Sequence, residues 1–147
     1  MNFAETLVAQ HLGLPSQICV HSRVCGKGVA VEHDGSVYSC DHYVYPEYRL
    51  GSLRSGTGLG DMVFSPKQVQ FGYAKSEALP LHCRKCRFLN DCWGECPKNR
   101  LLRAPDGESG VNYLCSGLKR FFAHAVPEAE TIAAQLRGAP IRTQARM

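Results

Sequence analysis

Four cysteines within fourteen residues, Cys83-x2-Cys86-x5-Cys92-x3-Cys96 followed by Pro97, form the densest group of reactive side chains in the sequence. Thiolates ligate soft metal centres. A Cys-x2-Cys turn lets two of them converge while backbone amides point toward the sulfurs and stabilise their charge. Cys19, Cys25 and Cys40 stand upstream and Cys115 downstream, eight cysteines in all. Eight is twice four, the ligand count of a closed zinc or iron–sulfur site. Three upstream cysteines plus one, and three of the dense run plus Cys115, close that count without remainder.

The compartment bears on which chemistry applies. Met1 to Leu14 carries Glu5 and no basic cluster ahead of an apolar run, so no signal peptide is expected. No stretch approaches the ~18 consecutive apolar residues of a membrane span. A reducing cytosol is therefore expected, and there an even cysteine count points to metal or catalysis rather than disulfides. Spacing leaves zinc and iron–sulfur both open. The Cys-x2-Cys pair favours a zinc knuckle. The Cys-x3-Cys-Pro ending weighs the other way, and resembles bacterial ferredoxins, where the cysteine before proline serves the other cluster. The net charge is +4 and its Lys and Arg are dispersed, without the basic stripe of a nucleic-acid footprint. That surplus would roughly neutralise two four-iron clusters at about −2 each.

Positioning these cysteines requires elements around them. Asn2 to Leu12 has the apolar spacing of a short amphipathic helix, stopped by Gly13 and Pro15. Val29–Glu32 and Ser36–Ser39 flank His33-Asp34-Gly35, the pattern of a hairpin with an Asp-Gly turn, and Cys40 lies where its second strand ends. Asp41 to Pro46 reads as an aromatic loop and Ser52 to Gly60 as a Gly/Ser-rich surface stretch. Ser65-Pro66-Lys67-Gln68 has the form of a capping box, opening a helix to about Lys75. Cys83 to Cys96 reads as too crowded for a regular element. Asn112 to Ala125 reads as a helix carrying Cys115, Pro127 as the start of another to Leu136, and Arg137 to Met147 as a frayed end.

The combination Cys25-x9-Gly35-x4-Cys40, then the four-cysteine run, then Cys115, resembles the SPASM domain of radical S-adenosylmethionine enzymes, with Cys19 as the eighth ligand. The resemblance is sharper to anaerobic sulfatase-maturating enzymes. It rests on Glu32 to Gly51, on Gly94-Glu95-Cys96-Pro97-Lys98, and on Asn112-Tyr113-Leu114-Cys115 with Phe121-Phe122 beyond. It implies two [4Fe–4S] clusters, one on Cys19, Cys25, Cys40 and Cys96, the other on Cys83, Cys86, Cys92 and Cys115. It also implies the whole enzyme's activity: formylglycine formed from a cysteine or serine of a sulfatase polypeptide, with Asp41 taking the side-chain proton. The Cys-x3-Cys-x2-Cys motif of the radical core, which cleaves S-adenosylmethionine, is missing from this sequence. The chain is thus expected to be a C-terminal piece, inactive alone, that works with a radical core domain.

The expected fold is a small α+β domain: a β-hairpin, short helices and two cluster-binding loops, with residues 1–127 as the cluster domain and 128–147 as a helix and tail. Its expected function is electron transfer and substrate-peptide positioning. The competing expectation is a redox-silent module stapled by zinc or clusters that binds a protein. His42 and His82 are the histidines placed beside candidate site residues. Tyr43, Tyr45, Tyr48 and Trp93 are read as lining a peptide groove or shielding the clusters from water, with shielding the preferred role, and Arg49, Lys98 and Arg100 as charge-balancing surface residues.

Overall fold

The computed structural model describes residues 3–138. In chain order the elements are α1 (Phe3–His11), β1 (Ala30–Val31), β2 (Ser36–Tyr38), β3 (Arg49–Ser52), α2 (Leu59–Val63) and α3 (Pro66–Glu77). There follow α4 (Leu81–Arg84), α5 (Leu89–Cys92), β4 (Leu102–Arg103), β5 (Ser109–Val111) and α6 (Cys115–Gly138). Helices and small antiparallel sheets together make this an α+β fold.

The apolar core lies where α1 packs on α6 beside Phe88, the residue that leads into α5. Leu7, Phe88, Phe122 and Ala129 are buried there, with Val8, Leu118 and Val126 packed around them. This centre is small for a chain of this length, which leaves much of the fold to be organised elsewhere. No helix among the described residues is long and apolar enough to cross a membrane.

The hairpin forms as its turn chemistry dictates. Asp34 Oδ1 accepts from the Ser36 amide at 2.8 Å, and Gly35 takes a φ of 83°, a region glycine enters without steric cost. Ala30 pairs with Tyr38 and Val31 with Val37. A third strand, β3, joins the sheet beyond the hairpin, with Val37 opposite Gly51 and a bulge between Val37 and Tyr38. The Ser52–Gly60 stretch is correspondingly shorter as a surface loop: Ser52 closes β3 and Leu59 opens α2.

Ser65 caps α3, its Oγ accepting from the Gln68 amide at 3.3 Å, but the reciprocal half of the capping box is not formed: the Gln68 side chain turns to Gly26 O and Ser39 O, and the Ser65 amide donates to Met62 O. Two helical expectations need correction. The run Cys83–Cys96 contains regular structure, since single helical turns α4 and α5 carry Cys83 and Cys92. Pro127 does not start a separate helix but lies inside α6, which starts at Cys115 rather than Asn112. An internal proline costs ~3 kcal/mol or more in a helix. Here Phe122 on one side and Ala129 and Ala133 on the other are buried, and that packing holds the helix through the defect. The expected frayed end falls mostly on residues 139–147, outside the described residues.

Candidate metal centres

Two cavities are each lined by four cysteines. Cys83, Cys86, Cys92 and Cys115 line the first, walled by Phe88, Leu118 and Phe122. Cys19, Cys25, Cys40 and Cys96 line the second, with Asp41, His42 and Tyr43 at its edge. All eight cysteines are free thiols. Among the described residues no three His, Cys, Asp or Glu side chains are gathered tightly enough to hold one metal ion.

The first, downstream, cavity is assembled from helix ends. Cys83 sits in α4, and the chain turns directly beyond it, with the Cys86 amide donating to Cys83 O at 3.0 Å. Cys92 ends α5 and Cys115 opens α6. His82 also lines this cavity, its Nε2 3.0 Å from Lys119 Nζ.

The second, upstream, cavity is organised by one face of α3, whose buried residues are Gln68, Gly72 and Lys75. They fall at i, i+4 and i+7, a single helical stripe, and each holds backbone beside a cysteine. Gln68 Nε2 donates to Gly26 O at 2.9 Å and to Ser39 O at 3.1 Å. Gly72 O accepts from the Cys25 amide at 3.1 Å. Lys75 Nζ donates to Cys19 O at 2.7 Å and Val20 O at 2.8 Å. The three upstream cysteine segments therefore hang from one helix.

Cys92 and Cys96 are four residues apart yet line different cavities. The chain turns between them through Trp93, Gly94 and Glu95, all at positive φ (48°, 67° and 54°). Glu95 is anchored by Asn112 Nδ2 at 2.6 Å and Asn99 Nδ2 at 2.9 Å. Arg100 donates to Lys75 O at 2.8 Å, Trp93 O at 3.0 Å and Gly94 O at 3.2 Å. Arg100 is thus half-buried and bonded to backbone, which corrects its reading as a surface residue, whereas Lys98 is exposed.

The electrostatics suit anionic sulfur only once something cationic binds. Burial pushes the thiols of Cys25, Cys83 and Cys96 up and those of Cys40 and Cys92 up to about 11. Backbone amides oppose this: those of Gly94 and Glu95 at Cys92, of Lys98 at Cys96 and of His42 at Cys40. Amides aimed at sulfur are the ones that stabilise a ligating thiolate. Asp41 is exposed, and its Oδ1 lies 3.1 Å from Cys40 Sγ; that hydrogen bond holds its carboxyl below the usual range. His42 Nδ1 lies 3.4 Å from Cys96 Sγ, so both histidines singled out in the sequence stand at cysteine cavities. Tyr43 packs edge-on against Tyr48 and Phe71, centroids 4.7 and 5.3 Å away.

Sequence reasoning missed Gln68, Gly72, Lys75, Glu95 and Asn112. The i, i+4, i+7 spacing of the first three was visible, but a polar stripe gives no hydrophobic signal.

Residues 19–87 match the SPASM family, an iron–sulfur cluster-binding domain. A fold and eight-cysteine arrangement of this kind define the chain as a SPASM domain. Its kind is that of the anaerobic sulfatase-maturating enzymes of the radical S-adenosylmethionine superfamily. The serine-type enzyme of Bacteroides thetaiotaomicron is 45% identical over 123 residues, covering 84% of this chain and 30% of that protein. The cysteine-type enzyme of Clostridium perfringens is 31% identical over 122 residues, 83% and 32% of the two chains. The solved structure of native anSMEcpe with bound AdoMet and Kp18Cys peptide superimposes with a TM-score of 0.74 at 30% identity, covering 90% of this chain and 36% of that one. The chain therefore spans about a third of the length of these relatives.

Proposed function

We propose that this domain holds two [4Fe–4S] clusters, on Cys19/Cys25/Cys40/Cys96 and on Cys83/Cys86/Cys92/Cys115. In a complete cytoplasmic enzyme with a radical core, it would conduct electrons and position a sulfatase peptide during formylglycine formation. The observation carrying the reading is that four cysteines line each of two cavities, and that the division follows the two expected ligand sets. Amides directed at Cys40, Cys92 and Cys96 fit ligating thiolates. When bound, such clusters supply one-electron redox capacity.

The chain's own residues have defined parts. The apolar wall of Phe88, Leu118 and Phe122 keeps water from the downstream site, and Tyr43 with Phe71 covers a flank of the upstream one. Asp41 stands exposed at the upstream rim, open to a substrate. Its present proton donor is the Cys40 thiol. Ligation removes that proton, leaving the carboxylate free to accept one from a substrate thiol or hydroxyl, the role of a general base.

The test is anaerobic reconstitution, with iron, sulfide and zinc measured per chain. The expected result is two four-iron clusters. Stoichiometric zinc with little iron would instead favour the redox-silent, protein-binding module.

A further inference from the structure

Lys75 is a buried cation without an anion. It is 1% exposed, its Nζ donates to the carbonyls of Cys19 and Val20, and among the described residues no carboxylate forms an ion pair with it. Two carbonyl dipoles offset part of the cost of removing an ammonium from water, and a full charge calls for an opposite one. The buried carboxylates among the described residues are engaged elsewhere, Glu95 by the amides of Asn99 and Asn112 and Asp91 by His11. What surrounds Lys75 is the upstream cysteine segments: its ammonium holds the Cys19 carbonyl at 2.7 Å, and it lines one cavity together with Cys25 and Arg100. Two of the four upstream cysteine segments, those of Cys19 and Cys25, therefore lie against this one charge.

Four thiolates around a four-iron core leave it net anionic, and cluster potentials respond to nearby charge. We propose that Lys75 is the built-in counter-charge of the upstream cluster, holding its reduction potential up and helping to retain it. The proposal rests on the two-cluster reading above. Lys75 is a positioning and tuning residue rather than a ligand, and its influence is local, because it bonds the upstream segment and does not line the downstream cavity.

The experiment uses the anaerobically reconstituted chain carrying Cys115→Ala, so that the upstream cluster is measured alone. Lys75→Met removes the charge at similar length, Lys75→Gln keeps N–H donors for the two carbonyls without charge, and Lys75→Arg keeps charge. Potentiometric titration followed by electron paramagnetic resonance reads the potential, and iron per chain reads retention. Met and Gln should shift the reduction equilibrium toward the oxidised cluster at least about tenfold, about 59 mV for one electron, or lose the cluster while Arg keeps it. In a Cys40→Ala background the downstream potential should not move. An unchanged potential in Met and Gln with iron retained overturns the proposal, as does equal iron loss in all three variants, which marks a packing role. Parent protein that takes up zinc refutes the two-cluster reading before any variant is made, so the two failures are distinct.

Discussion

Gly72→Ala is the sharpest perturbation of the α3 scaffold, because helix propensity and packing predict opposite signs. Replacing an interior helical glycine by alanine ordinarily stabilises by ~0.8–1.0 kcal/mol. A Cβ at Gly72, however, would stand 2.9 Å from Cys25 O and 3.0 Å from Val24 Cγ1. The first of these is backbone, so relief requires moving the Cys25 segment rather than turning a side chain. Overpacking of this kind costs ~1–3 kcal/mol, and the Cys25 N–H bond to Gly72 O stretches as the segment moves. Packing therefore wins, by about 1 kcal/mol as a central value. For a chain of this size that lowers Tm by ~2–4 °C, where propensity alone would raise it. Iron should be lost from the upstream site, up to half of the total, and the downstream site should keep its share. Thermal melts of the cluster-free protein together with iron per chain make the measurement. A raised Tm with full iron would refute the claim that α3 fixes the position of Cys25.

Cys40→Ala and Cys115→Ala should each leave about half the parent iron, taken from different clusters; spectra showing the same cluster lost in both would refute the division of ligands. Gly94→Ala places a Cβ at φ 67°, 2.5 Å from Leu79 Cδ2. The conformation alone costs roughly 1–2 kcal/mol, and the variant should melt lower and lose iron from both sites. Cluster-free protein should lose stability as pH rises from the unfolded thiol range, ~8.5, toward the folded value of about 11 for Cys40 and Cys92. A folded pKa raised by burial means stability is kept below that window and lost through it, and a flat Tm across it would contradict the burial argument. In a complete enzyme containing this domain, Asp41→Asn should slow peptide maturation ~10²–10⁴-fold with clusters and cofactor cleavage intact; maturation at the parent rate would refute the general-base role of Asp41.

The cysteines were legible because their type and spacing carry their chemistry, and α1, α3 and the β1–β2 hairpin because cap, turn and period agreed. β3 escaped because Arg-Leu-Gly-Ser shows no alternation; Gly51 packs closely on Met62, where a Cβ would stand 2.9 Å from Sδ. α4 and α5 escaped because single turns carry no period. The continuity of α6 escaped because proline is read as a boundary, while the packing that overrides it comes from α1, more than a hundred residues away in sequence. Lys75 and Arg100 escaped for a related reason. A lysine on a predicted helix is by default solvated, and nothing local shows that Gln68, Gly72 and Lys75 form the buried face.

The turn from Trp93 to Glu95 explains why two sites can share one short cysteine run. A helical continuation past Cys92 would set Cys96 one turn further along the same face, facing the same cavity as Cys92. Three successive left-handed residues carry the chain away from that face, and two of them, Trp93 and Glu95, have side chains, each at roughly 1–2 kcal/mol. That strain persists because the surroundings over-determine it. Arg100 binds the carbonyls of Trp93 and Gly94, and Asn99 and Asn112 hold Glu95. Asn112 also accepts from the Leu114 amide at 2.8 Å, tying the turn to the residues just before Cys115. Arg100 extends the same network to Lys75 O at the end of α3, the helix that carries the upstream loops. One strained turn is therefore bonded both to the segment leading into Cys115 and to the upstream scaffold, so the separation of the two four-cysteine cavities is set by backbone geometry.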